Sequence, residues 1–337
     1  MENLPAGKLS LLGDGQFGST GKGKAAEYIG KTNHIDLFVT DASANAGHSF
    51  FLNGKKVVAK FLPVGSISNR RSTIYLCPGA IIDPDLLLKE LQMFDIDRDR
   101  VIIHPRCAII TADDKLRERD HNSSVTKIAS TQTGVGQALS RKILRSADLA
   151  GNIPALQHFI SPHFNLQEHL DWGCTALMEI PQGFDLSISS GLSYPHCTSR
   201  EITVSSALSD AQIHPQYLGK VIVTLRTFPI RVGNIIDNGV EIGNSGPFYL
   251  DSKEITWKEL GREEERTTVT NRVRRVATFS QLQYKNMLAA WKPDCILLNF
   301  CDYLSSTDLD TLLNQLPEVT HLGFGPEING IKLNHRG

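Results

Sequence analysis

Apolar residues in this chain come in short blocks. Residues 9–12, 35–40, 72–76, 101–104, 176–180, 221–228 and 295–302 are rich in Leu, Ile, Val, Phe or Tyr and are closed by glycine, proline or polar residues. Blocks of that length predict buried strands. Between them the spacing becomes helical. Ala25-Ala26-Glu27-Tyr28 is helix-prone, Asp83-Pro84 supplies an N-cap and a first-turn proline for a helix through Leu91, and residues 280–291 form an amphipathic helix. Residues 51–58 predict a hairpin around Asn53-Gly54, a pair suited to a tight turn. Strands that alternate with helices define an α/β fold with a mainly parallel central sheet and flanking helices.

Composition narrows the class without naming a chemistry. The chain has 337 residues, 41% hydrophobic and 21% charged, with a net charge of -1. Those values suit a globular protein whose residues 1–337 form one elaborate domain, and they carry no basic excess for nucleic acid. The six cysteines are scattered without the short spacings of a zinc site or a disulfide framework. The first residues lack the pattern of a signal peptide, and no apolar run reaches the roughly 18 residues of a membrane span. The expectation is a cytoplasmic protein, in the host cytoplasm if it is viral, with no membrane partner.

Candidate chemistry begins after the first strand, in Gly15-Gln16-Phe17-Gly18-Ser19-Thr20-Gly21-Lys22-Gly23-Lys24. A strand, a glycine-rich turn and a helix start bring unpaired amides and a positive helix end to one point, which suits phosphate. Gln16 and Gly23 stand where a Walker A loop needs glycine and a hydroxyl, so this is not that motif. By itself the segment reads equally as a glycine-rich turn with two solvated lysines. Ser130-Thr131-Gln132-Thr133-Gly134-Val135-Gly136 is a second hydroxyl-rich, glycine-punctuated stretch. Residues 266–275 put four arginines and several threonines on one short polar segment, and arginine forks there match a dicarboxylate.

The first segment followed by Asn45-Ala46-Gly47-His48-Ser49 resembles the adenylosuccinate synthetase family, which couples aspartate to a purine nucleotide at the expense of a nucleoside triphosphate. Further matches run nearly the length of the chain. The resemblance implies a P-loop-NTPase-related fold, a homodimer, Mg²⁺, and three small-molecule partners: a purine nucleotide, L-aspartate and a triphosphate. It assigns Ser19, Lys22, His48 and Gln182 to catalysis. Gly18, Ser19, Thr20, Gly21, Lys22 and Gly23 would hold the triphosphate, with Gly47, His48 and Ser49 facing them. Asn299, Asp302, Gly325 and Pro326 would surround its base. The family's guanine-reading lysine is replaced by Asn299, and Asp302 lies one residue late, so ATP becomes the expected donor.

By the same resemblance the purine nucleotide falls to Ser19, Asn45, Ser130, Thr131, Gln182, Thr198 and Gly233, with Arg141 reaching a neighbouring subunit's site. Aspartate falls to Thr268, Val269, Thr270, Arg272 and Arg274, and the metal to Ser19 and the Gly47 carbonyl. One departure stands out. Cellular members carry Asp-Glu where this chain has Ser19-Thr20, and that aspartate deprotonates the purine and binds Mg²⁺. A phage branch with serine there takes dGMP, aspartate and ATP. The expectation is therefore an ATP-dependent dGMP–aspartate ligase in 2-aminoadenine precursor synthesis. An IMP- and GTP-using synthetase and an inactive nucleotide-binding homologue are the alternatives.

Overall fold

A computed structural model describes residues 1–337 apart from Glu2, Asn53, His121, Asn122, Ser123, Thr268, Val269, Arg336 and Gly337. Nine strands form the central sheet: β1 (Leu9–Asp14), β2 (Leu37–Thr40), β3 (Thr73–Leu76), β4 (Val101–Ile103), β5 (Ala176–Gly183), β6 (Leu218–Arg226), β7 (Cys295–Asn299), β8 (His321–Gly323) and β9 (Ile331–Leu333). Their spatial order is β9-β8-β7-β6-β1-β5-β2-β3-β4. Every pairing is parallel except β8 with β9. β1 lies between β5 and β6, where Leu9 aligns with both Ala176 and Leu218.

Side chains alternate across this sheet, as strand geometry requires. Leu12, Phe38, Leu177 and Ile222 enter one core with Ala25, Ala26 and Ile29 of helix α1 (Lys22–Thr32) and Leu87 and Leu91 of α2 (Pro84–Met93). Leu9, Leu11, Val39, Met178 and Val223 enter the other core, on the opposite face. Helix α3 (Ala112–Arg119) and helix α4 (Val135–Ile143) follow, and α5 (Gln281–Trp291) closes the second core with Met287 and Trp291.

The local expectations translate with shifted ends. Asp83 caps α2 by accepting from the Leu86 amide at 3.3 Å, and Ser280 caps α5 through the Gln283 amide. The hairpin runs His48–Leu52 and Lys55–Ala59, Asn53 of its turn lying outside the described residues. The strand expected over 295–302 stops at Asn299, where Phe300 turns left-handed at φ 62° and starts a 3₁₀ turn. The polar stretch ending at Gly136 already enters α4 at Val135.

This topology puts the C-terminal ends of β1, β2, β5, β6 and β7 along one edge. Crevices outside such an edge are where open α/β sheets bind ligands. The hairpin packs against α1 there, with Phe50 in the same core as Ala25 and Ala26. At the closest point a Cβ on Gly23, in the first turn of α1, would sit 2.3 Å from the Ser49 carbonyl oxygen. Only glycine lets His48 and the α1 N-terminus approach so closely.

Candidate functional site

The loop from β1 to α1 is shaped around a carboxylate. Asp14 Oδ1 accepts from the amides of Gln16 (3.0 Å) and Gly18 (3.1 Å), and Oδ2 from the amide (3.0 Å) and hydroxyl (2.6 Å) of Thr20. Burial pushes this carboxyl above its ordinary value, while the Thr20 bond, Lys22 and the amides pull it down. Four donors fill the four acceptor positions of an ionised carboxylate and leave none for a proton. Gly18 (φ 96°), Ser19 (φ 58°) and Gly21 (φ 85°) are left-handed. For Ser19 that conformation costs about 1–2 kcal/mol. It is held from outside, because the fully buried Arg226 at the end of β6 donates to the Ser19 carbonyl at 3.2 Å.

Lys22 and Lys24 are not solvated. Lys22 Nζ donates to the Ile180 carbonyl, and burial lowers its pKa against the pull of Asp14, Glu179 and Asp41. Lys24 Nζ donates to the carbonyls of Phe324 (3.1 Å) and Gly325 (2.9 Å), and burial brings it down to about 8 although Asp302 opposes this. Asp302 Oδ1 accepts from the Gly325 amide at 2.9 Å. Asn299 Nδ2 donates to the Thr20 carbonyl at 2.8 Å, bracing the loop from below.

His48 opens onto the cleft yet is ringed by protein. Burial, reinforced by Lys22, drives its imidazole well below the usual histidine range. A neutral ring still donates one N–H. Asn45 is steadied by the Ser43 hydroxyl at 2.7 Å. Gln182, left-handed at φ 69° near the end of β5, keeps a buried Nε2 that meets no acceptor among the described residues. Such a donor fits a ligand acceptor, since orphaned buried amides are costly.

The basic segment contributes unevenly. Arg274 faces the cleft with burial lowering it to about 10, and its guanidinium makes no hydrogen bond among the described residues. Its amide donates to the Glu265 carbonyl at 2.8 Å. The Glu265 carboxylate takes both terminal nitrogens of Arg226, at 2.7 and 3.2 Å. Arg272 is committed elsewhere, with Nε on Thr270 (3.0 Å) and Nη2 on the carbonyls of Ala129 (2.8 Å) and Ser130 (3.1 Å).

One cleft of about 810 Å³ gathers most of the expected residues: Gly18, Ser19, Gly21, Lys22, Gly23, Asn45, Gly47, His48, Ser49, Thr131, Gln182, Arg274, Asn299, Asp302, Gly325 and Pro326. Others do not reach it. Thr20 is buried beneath the loop on Asp14, and Ser130 lends a carbonyl to Arg272 instead of a hydroxyl to the cleft. Thr270 and Arg272 bind each other. A Cβ on Gly233 would lie 2.1 Å from the Val273 carbonyl, so this glycine serves chain packing while its neighbour Val232 lines the cleft. Thr198 is tied through its amide to Leu186. Arg141, on α4, is clamped by Asp114 and Asp148 outside the cleft. Thr268 and Val269 lie outside the described residues.

The residues missed from sequence are Asp14, Arg226 and the cleft-lining acids 263–265. An acid closing an apolar strand before a glycine turn, and an acidic run abutting a basic one, were the available signals. Among the described residues no group of three or more His, Cys, Asp or Glu side chains could hold a metal. Ser19, Gly47, Glu263, Glu264 and Asp302 all line the cleft, and scattered hard oxygen donors of this kind suit Mg²⁺, which is usually held by few protein ligands together with phosphates.

Amides, buried lysines and an uncommitted arginine converging from separate loops on the carboxyl edge of a parallel sheet define a nucleotide-binding α/β protein with places for several anions. The chain belongs to the adenylosuccinate synthetase family, whose sequence profile matches residues 11–161 and 152–312. It is 34% identical to the N6-succino-2-amino-2'-deoxyadenylate synthase of Salmonella phage PMBT28 over 98% of each chain. Identity to the adenylosuccinate synthetase of Pyrococcus sp. (strain ST700) is also 34%, but over 79% of this chain and 75% of that one. The fold matches the succinoaminodeoxyadenylate synthetase of cyanophage S-2L, solved bound to dGMP and dATP as an energy donor, with a TM-score of 0.86 and 32% identity over 97% of this chain and 95% of that one.

Proposed function

We propose that this protein is an ATP- and Mg²⁺-dependent ligase that joins L-aspartate to C6 of dGMP, giving N6-succino-2-amino-2'-deoxyadenylate, ADP and phosphate. The observation that carries the reading is Ser19, a hydroxyl on the cleft loop where members acting on IMP keep an acid. Guanine differs from hypoxanthine by an amino group beside the ring nitrogen, and a smaller, uncharged side chain leaves space for it. The phage relative similar over the whole chain and the structure holding dGMP and dATP support this reading.

Oxide is a poor leaving group, so the purine 6-oxygen first takes the γ-phosphoryl group of ATP. The amine of aspartate then attacks C6, phosphate departs, and the protons of the ring nitrogen and the amine are released. The protein's part is positioning and charge stabilisation. The outward amides of Ser19, Gly21 and the first turn of α1, with Lys22, hold the triphosphate, aided by Ser49. Asp302, Gly325 and Pro326 flank its base. His48, neutral in this setting, donates an N–H to the transferring group. Thr131 takes the 5′-phosphate, Gln182 and Asn45 orient the purine, and Arg274 takes the aspartate carboxylates. Mg²⁺, held by the phosphates with Ser19 and Gly47, would neutralise charge on the transferred group.

A homodimer is part of the proposal. Leu116, Ile143 and Leu144, exposed on and beside α3 and α4 near Arg141, give the apolar surface that such an interface needs. No helix among the described residues is long and apolar enough to cross a membrane. Action in a host cytoplasm is part of the proposal and rests on the phage relatives. Phosphate release with aspartate, Mg²⁺ and each pairing of dGMP, GMP or IMP with ATP or GTP tests the reading. It expects dGMP with ATP to be the fastest pair, and faster turnover of IMP would overturn it.

A further inference from the structure

A carboxylate on the floor of a site built for anions is an electrostatic burden, and Asp14 is one. It is 2% exposed, closes the central strand β1, and still lines the cleft. Its bonds follow a rule: the amides of Gln16, Gly18 and Thr20, every second one along the loop, turn inward to it. The Thr20 hydroxyl joins them and lies 2.6 Å from that of Thr224 on β6, so the loop is pinned to the neighbouring strand as well. The intervening amides of Ser19 and Gly21 donate to nothing among the described residues, and the first-turn amides of α1 have no partner within the helix. Alternation of this kind needs the left-handed residues at 18, 19 and 21.

We propose that Asp14 is a positioning residue: an internal anion that takes the inward amides of the loop, and thereby fixes the outward amides for the triphosphate and Ser19 for the purine. The inference rests on the nucleotide reading of the cleft and goes beyond it, because Asp14 itself touches no ligand. In effect the loop is folded around a permanent carboxylate before nucleotide arrives. Three acceptor positions tied to backbone amides cannot be supplied by an amide side chain, whose NH₂ would confront the Thr20 donors.

The test compares wild type with Asp14→Asn, Thr20→Val and Thr20→Ser, measuring ATP binding by calorimetry and KM for each substrate with kcat by phosphate release. Removing a negative charge beneath the phosphates should, on charge alone, tighten ATP binding. Positioning requires the reverse. Asp14→Asn should raise the ATP KM about tenfold or more and lower kcat about a hundredfold, a loss typical of misplaced reacting groups. The aspartate KM depends on Arg274, which Asp14 reaches only through its charge, and should change several-fold less than the ATP KM. Thr20→Val should show the same pattern at about five- to tenfold, and Thr20→Ser should lose much less. If Asp14→Asn does not fold, as read by circular dichroism, the Thr20 pair decides. Tighter ATP binding in Asp14→Asn, parallel rises in all KM values, or equal losses in the two Thr20 variants would overturn the inference. A wild-type protein that binds no ATP would overturn it together with the reading of the cleft.

Discussion

Replacing Glu265 by glutamine strands a buried charge. Arg226 is fully buried, and among the described residues its guanidinium donates to the Glu265 carboxylate and the Ser19 carbonyl and lies over the Phe300 ring at 4.0 Å. Only the first is a counter-ion. Removing one partner of a buried ion pair typically costs about 3–5 kcal/mol. Glu265 is 27% exposed and glutamine keeps one acceptor, so about 2–3 kcal/mol is expected here. With an unfolding entropy of roughly 0.7 kcal/mol/K for a chain of this length, the thermal midpoint should fall by about 3–4 °C.

The pH dependence gives a second reading of the same pair. Burial raises the Glu265 carboxyl, but the charge and hydrogen bonds of Arg226 more than offset this and hold it below its ordinary value. A carboxyl lowered in the folded state stabilises above its unfolded pKa and loses that contribution as pH falls through the folded one. The gap between wild type and Glu265→Gln should therefore be full at neutral pH and close under acid, below the ordinary glutamate range. Calorimetric melting from neutral to acid pH measures it. A gap under about 1 °C at pH 7, or one that persists unchanged into acid, would refute the argument.

Arg274→Ala removes a cleft arginine whose guanidinium makes no hydrogen bond among the described residues and should raise the aspartate KM about 10- to 100-fold, the worth of a charge-assisted bond, while the dGMP KM moves less than threefold; equal changes would remove its assignment. His48→Ala should lower kcat about a hundredfold with nucleotide affinity nearly unchanged, as read by phosphate release beside calorimetry. Because burial keeps the His48 ring neutral in the free protein, its NMR signal should show no titration between pH 6 and 8. Gly23→Ala puts a Cβ 2.3 Å from the Ser49 carbonyl, forcing the hairpin off α1. It should cost about 1–3 kcal/mol and depress kcat through His48, which denaturant unfolding and turnover together would show.

The sheet was legible because its strands are buried on both faces and read as continuous apolar blocks, as at 221–228 and 295–299. The edge pair β8 and β9 was not, since three residues each leave no periodicity. His48, Gln182 and Arg274 became visible through resemblance, not spacing: they lie on three loops far apart in sequence, and only the strand order unites them. Four of the assignments that failed to reach the cleft share one cause. Thr20, Ser130, Thr270 and Arg272 have the right chemistry in the right loops, but tertiary hydrogen bonds decide which side of a loop faces a ligand. Asp14 escaped notice for the converse reason, since a single acid beside two glycines has no pattern until the amides around it are placed.

The central position of β1 has a consequence for biosynthesis. Its two neighbours, β5 and β6, end at Gly183 and Arg226, so the strand made first waits for both. At roughly 5–20 residues per second, a ribosome needs on the order of 10–40 s after Asp14 to deliver Arg226. Until then a nascent chain has its lysines and glycines but no cleft, and fragments ending before β6 should emerge without nucleotide affinity.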